Sequence, residues 1–147
     1  MDTKGGFYIS QIKQLQDRIF SKLLSDNGIE LSGGQGRILF VLWKKNRLTV
    51  TEISEQTSLA KNTASIIING MVEKGIVKRQ INPSNRRQTI ISLTEQSEAM
   101  QHQYEQLSQK MNRLFYTGFS KEEKDSFEKY LERILKTLQQ AEKGDFL

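Results

Sequence analysis

Paired arginines, Arg86 and Arg87, stand in a polar loop between two β-branched runs, residues 76–81 and 89–93. Ahead of them, residues 61–74 place Ala64, Ile67, Ile68 and Met71 at the spacing of a helix's inward side, leaving Lys61, Asn62, Thr63 and Ser65 as a polar side. Guanidinium and ammonium groups donate hydrogen bonds and carry fixed charge, which suits phosphate, and an asparagine amide can pair with a base edge. A helix, a turn, a second helix and a basic hairpin in that order form a device for gripping duplex DNA: the helix enters the major groove and the hairpin loop reaches the adjacent phosphates. Other chemistries lack their residues. The chain has one histidine, His102, and no cysteine, no glycine-rich phosphate loop and no carboxylate cluster outside solvated helices. Disulfides, thiol redox sensing, zinc–thiolate sites and a histidine-rich metal sensor are thereby excluded, and neither catalysis nor a cofactor is expected.

The elements that must position these groups are mostly helical. A first helix is expected over residues 7–25, with Ile12, Leu15, Ile19 and Leu23 as a narrow apolar stripe and Asn27-Gly28 closing it. Ser32, with Gln35 three residues on, opens a second helix through a capping box; the run Ile38, Leu39, Val41, Leu42 and Trp43 makes that helix central to the core, and Gly33-Gly34 weakens its first turn. A short third helix over residues 51–57, capped by Thr49 or Thr51, and a turn at residues 57–60 lead to the helix of residues 61–74, which Gly75 stops with Ile76 as its hydrophobic contact. Pro83 lies in the hairpin loop. Thr94 caps a fifth helix with a heptad-like seam of Met100, Tyr104, Leu107, Met111 and Leu114, broken by Gly118. Ser120 and Glu123 form a capping box for a sixth helix with apolar Phe127, Tyr130, Leu131, Ile134 and Leu138, and only residues 144–147 look apt to fray.

The net charge of +5 is unevenly spread over the 147 residues: the first 94 residues carry +7 and the remainder −2. A basic body with an acidic-leaning helical end fits a polyanion-binding module joined to a self-associating region. No run is long and apolar enough to span a bilayer and the N-terminus has no export signal, so a cytoplasmic protein without membrane partners is expected. The fold class that emerges is mainly α with a small β-hairpin wing: a winged helix-turn-helix flanked by N- and C-terminal helices.

The segments LAKNTASIIINGMVEKGIV (residues 59–77) and NPSNRRQTIISLT (residues 82–94) resemble the Leu-Ser-Lys-x-Thr-Val-Ser recognition segment, the Glu-Lys-Gly end and the Asp-Arg-Arg wing with its Leu-Thr close that mark the MarR family of transcriptional regulators. The resemblance spans essentially the whole chain. It implies one MarR-like domain over residues 1–147, with a DNA-binding lobe at 31–94 and dimerisation helices at 7–26 and 95–141. It further implies that Asn62, Thr63, Ser65, Ile66 and Asn69 face the groove, that Lys61 and Lys74 meet phosphates, and that Arg86 and Arg87 serve the wing, one approaching the minor groove. The function implied is a dimeric repressor that occludes a promoter and is released by a small aromatic or anionic effector; the competing reading is a winged helix that docks a protein rather than DNA. An effector pocket would draw on Phe20, Trp43, Tyr104 and Phe115.

Three residues depart from the family pattern. Ala60 replaces a capping serine at the start of the recognition helix, losing a cap typically worth ~1 kcal/mol. Ile66 stands where an arginine often faces the groove; it can meet thymine methyls but cannot pair with guanine O6 and N7, so an A·T-leaning site is expected. Asn85 replaces the wing aspartate, leaving more uncompensated positive charge and a less fixed wing. The apolar stripes on the first, fifth and sixth helices exceed what a winged helix can cover, so a homodimer that reads a palindromic operator in double-stranded DNA is expected, its terminal helices interleaved.

Overall fold

Ser32 starts the helix around which the winged helix is built. Its Oγ accepts from the Gln35 N–H at 3.3 Å and the Gln35 side chain accepts from the Ser32 N–H at 3.2 Å, the reciprocal box that the spacing predicts. The computed structural model describes residues 2–144; Met1 and residues 145–147, which include most of the segment expected to fray, lie outside the described residues. In chain order the elements are α1 (Gly5–Asp26), α2 (Gly33–Lys44), β1 (Leu48–Thr49), α3 (Val50–Thr57), α4 (Lys61–Glu73), β2 (Val77–Asn82), β3 (Asn85–Leu93), α5 (Glu95–Phe115) and α6 (Lys121–Glu142). The chain forms two compact units, Met1–Ser108 and Gln109–Leu147, and the boundary falls within α5.

In the first unit, α2 supplies Ile38, Leu39 and Leu42, all fully buried, and Leu48, Ile53, Ile68, Met71 and Ile91 from β1, α3, α4 and β3 close around them. Burying each such side chain contributes roughly 1.5–3 kcal/mol against the entropy of ordering the chain. The glycines at the start of α2 have a packing use that outweighs their low helix propensity. A Cβ on Gly36 would stand 2.7 Å from the Tyr104 hydroxyl, and one on Gly34 would stand 2.8 Å from the Ile67 side chain, so α5 and α4 approach α2 where a larger residue would hold them off.

The sheet has three strands in the order β1-β3-β2, all antiparallel. Two strands are expected from the sequence; the extra one, Leu48–Thr49, is too short for any alternation to reveal. It exists because Leu48 pairs with Ile91 and Thr49 with Ile90 on the long strand of the hairpin. Thr49 then caps α3, its Oγ1 accepting from the Glu52 N–H at 3.1 Å while the Glu52 carboxylate accepts from the Thr49 N–H at 3.0 Å. The Thr49 backbone N–H, and then the Thr49 hydroxyl, hold the Glu52 carboxyl below its usual range. α4 ends in a Schellman arrangement: Gly75 takes φ +74, its N–H donates to Val72 O at 3.0 Å, and the N–H of buried Ile76 donates to Met71 O at 3.1 Å.

The α5 seam is not left free as a whole. Tyr104 lies in the core of the first unit, with Met100 and Leu107 packed against that core, because the hydroxyl-bearing ring fits over Gly36. α1 divides likewise: Leu24 is buried and Phe20 packs inward, whereas Ile12, Leu15 and Ile19 remain 41–51% exposed.

In the second unit, Ser120 and Glu123 make the expected capping box at 3.1 and 2.8 Å. Gly118 adopts φ +86 in the turn before it. Phe115, Tyr116, Phe119 and Phe127 form a cluster of ring contacts with centroids 5.0–6.4 Å apart. The Tyr116 hydroxyl donates to the Glu128 carboxylate at 2.6 Å; burial and then that bond push its pKa up to about 12. On α6, Tyr130, Ile134, Leu135 and Leu138 are 47–62% exposed. Among the described residues no helix is long and apolar enough to cross a membrane.

Candidate nucleic-acid interface

α3 and α4 meet through a turn in which Ser58 takes φ +59 and the Thr57 Oγ1 accepts from the Leu59 N–H at 3.3 Å. The turn delivers α4 with Ala64, Ile68 and Met71 buried and Lys61, Asn62, Thr63, Ile66 and Asn69 exposed. Ser65 is half-buried, because the helical period turns it towards the flank rather than the outer face. Ile66 is 71% exposed, an apolar side chain projecting from an otherwise polar face. Ala60 sits at the N-cap with extended backbone and no side-chain cap, so the first-turn N–H groups of α4 have no partner from that residue.

The wing is held by amide hydrogen bonds. Asn82 Oδ1 accepts from the Ser84 N–H at 3.0 Å, Asn85 Oδ1 accepts from the Arg87 N–H at 3.1 Å, and the Asn82 amide donates to the Gln88 side chain at 3.0 Å. Asn85 thus keeps the turn-forming role that an aspartate would have while contributing no charge. Arg86 and Arg87 are exposed, and among the described residues neither is in an ion pair. Their guanidinium heads are free for an anion.

Lys74 differs from its expected role at a phosphate. Its ammonium donates to Glu30 O and to the Gln35 side chain, both at 3.2 Å, which ties the end of α4 to the α1–α2 connection and the α2 cap. Two further residues near the wing were not legible as part of it. Arg79 on β2 donates to the Asn69 side-chain oxygen of α4, and Arg47, at φ +71, donates to the Gln80 side chain at 3.1 Å. Strand alternation was the available signal for Arg79, since it shares a side of β2 with buried Val77. No local pattern announces Arg47; its turn depends on Asn46 Oδ1 accepting from the distant Leu93 N–H at 2.9 Å.

Of the four aromatic residues expected around a pocket, three come together. Tyr104 lies 5.5 Å from Phe20 and 4.9 Å from Trp43 between ring centroids, and the Trp43 indole N–H donates to Ser97 O at 3.2 Å. Phe115 belongs to the aromatic cluster of the second unit. Beside the Phe20–Tyr104 pair lies a cavity of about 320 Å3, lined also by Lys13, Asp17, Gly36 and Arg37. Asp17 takes Lys13 at 2.7 Å and Arg37 at 3.8 Å, leaving the wall with one excess positive charge. Burial raises the Tyr104 pKa, opposed by the Arg37 charge. Trp43 does not line this cavity. No group of His, Cys, Asp or Glu that could hold a metal ion occurs among the described residues.

A three-helix core, an exposed polar helix face and a basic hairpin beside it define a winged helix-turn-helix module. Residues 31–89 match the model of the MarR family. The HTH-type transcriptional repressor YetL of Bacillus subtilis (strain 168) is 29% identical over 113 residues, which is 76% of this chain and 68% of the relative. Among solved structures, the transcriptional regulator SlyA aligns with a TM-score of 0.87 at 23% identity, over 95% of this chain and 96% of that one. Overoxidized AbfR bound to DNA aligns with a TM-score of 0.72 at 27% identity, over 92% of each. Over residues 31–89 the chain is similar to the MarR family, and its winged helix-turn-helix fold is the one these solved regulators share.

The bare N-cap leads to a stability prediction. Ala60→Ser should add a hydrogen bond to the first turn of α4 and raise the unfolding free energy by about 0.5–2 kcal/mol. Urea titration followed by circular dichroism checks it; an unchanged midpoint would mean that those N–H groups are already satisfied by water.

Proposed function

We propose that this protein is a sequence-specific repressor that binds double-stranded DNA as a homodimer and acts by covering a promoter. The observation that carries this reading is the joint exposure of α4's polar face and of the unpaired Arg86 and Arg87 on the adjoining wing. Lys61 and the open first turn of α4 meet a phosphate. Asn62, Thr63, Ile66 and Asn69 face base edges, with Ser65 at the flank, and the wing arginines follow the backbone into the neighbouring groove. Ile66 offers an apolar contact for a thymine methyl, which inclines the site towards A·T pairs. YetL, a relative, is a repressor and AbfR has been solved on DNA; both support this reading over a protein-docking role for the wing.

The partner for the exposed apolar side chains of α1 and α6 is a second copy of the chain. Ile12, Leu15 and Ile19 on one helix and Tyr130, Ile134 and Leu138 on the other are too many to leave in water without cause. Two recognition helices then read a palindrome. The cavity beside Tyr104 is the place for an effector: a small anion with an aromatic or apolar body would set its charge on the Arg37 side and its body against Phe20. By favouring one arrangement of the DNA-binding helices, it would lower affinity for the operator.

Four experiments test this. Fluorescence anisotropy with a duplex from the region upstream of the protein's own gene should show binding whose logarithm falls linearly with log salt. Arg87→Ala should weaken binding to every sequence, whereas Asn62→Ala should also relax preference at one position; an Asn62→Ala variant with preference intact would refute the assigned face. Sedimentation equilibrium at micromolar concentration should give a dimer, and a monomer there would end the interleaved-helix reading. Benzoate titrated into the complex should release DNA from the wild type but not from Arg37→Gln; equal release from both would move the effector site elsewhere.

A further inference from the structure

Asn62, Ile66 and Asn69 follow one another at steps of four and three residues, so they form one exposed row on α4. The last of them is hydrogen-bonded to the hairpin. Val77, Arg79 and Ile81 alternate onto one side of β2; Val77 is buried there and α4 packs against this strand. Arg79 therefore leans towards α4, and its guanidinium donates to the Asn69 side-chain oxygen. On the other side of the strand, Gln80 is held by Arg47 at 3.1 Å, which fixes the facing of both.

This contact has a definite polarity. A guanidinium carries five donors and no acceptor, so only the carbonyl oxygen of the Asn69 amide can face it. A reversed amide would place its NH2 group against a cation. The NH2 end is consequently turned away from Arg79, and the oxygen already serves a charged donor. An asparagine free to use both ends pairs with adenine by accepting from N6 and donating to N7. Asn69 has turned the accepting half of that pair towards Arg79.

We infer that Arg79 is a specificity-determining positioning residue, which polarises Asn69 into a donor-only reader selecting the carbonyl oxygens guanine O6 or thymine O4 over the amino groups of adenine and cytosine. The inference rests on the reading of α4 as the helix in the major groove. Thymine satisfies the whole row, because its methyl suits Ile66 one turn away while its O4 accepts from Asn69.

Selection from a randomised duplex library, with sequencing of the bound fraction, tests the assignment. The wild type should disfavour adenine and cytosine at one position by about tenfold. Asn69→Ala should flatten that position alone. Arg79→Met should admit adenine there, and Arg79→Lys, which keeps a charged donor, should restore the exclusion. Asn69→Asp retains an attraction to Arg79 but faces outward only with acceptors, so it should turn the preference towards cytosine N4. Thermal melting of each variant establishes that it is folded. Continued exclusion of adenine by folded Arg79→Met, or an unchanged preference in Asn69→Asp, overturns the proposal. So does a uniform loss of affinity in Arg79→Met, which would assign the guanidinium to a phosphate. Failure of the wild type to bind any duplex in a salt-dependent manner would overturn the DNA reading as well, so the two failures are distinguishable.

Discussion

The complete burial of Ile38, Leu39 and Leu42 on one side of α2 is the constraint on which the first unit depends. Ile38, Leu39 and Leu42 admit no water, so each element around them is set by how its own apolar residues meet that helix. α4 presents Ile68 and Met71 to it, and the helical period then commits Asn62, Ile66 and Asn69 to the outside. The long hairpin strand presents Ile91, and β1 attaches to that strand through Leu48. Gly34 and Gly36 make the packing close enough for Ile67 and Tyr104 to approach. A change in α2 that never touched the outer face would still move α4.

Charge is used differently on the two kinds of surface. The ion pairs are chiefly four-residue pairs on exposed helices, such as Lys121–Asp125 and Lys136–Glu132, where solvent leaves little net stabilisation. At the wing, by contrast, cations are kept clear of carboxylates. The turn is shaped by neutral asparagine oxygens, Asn82 and Asn85, which accept backbone N–H groups without cancelling Arg86 or Arg87. Lys74 is the counter-example: its ammonium is spent on Glu30 O and Gln35, and it braces α4 from behind.

Apolar exposure is similarly segregated. The inward residues of α1 and α5 join the core of the first unit through the Phe20–Tyr104 contact, while Ile12, Leu15 and Ile19 face out. On α6 the exposed side chains outnumber the covered ones. A helix with a capping box as sound as that of Ser120 and Glu123 yet with so little of its apolar face covered is built for burial against something else.

Local chemistry was enough to read most of the architecture. Caps at Ser32 and Ser120, glycine stops at Gly28, Gly75 and Gly118, and the spacing on α2 and α4 act over a few residues, so the sequence alone determined the helices, their order and the hairpin. It also determined the outward character of Asn62, Ile66 and Asn69, because one helical period fixes both faces. Tertiary structure decided the rest. β1 needs a partner strand dozens of residues away to exist at all, and Tyr104 is core rather than seam only because Gly36 lies opposite. The link between Arg79 and Asn69 crosses from strand to helix, and that contact, which no local pattern encodes, sets which end of the amide is left to face outward.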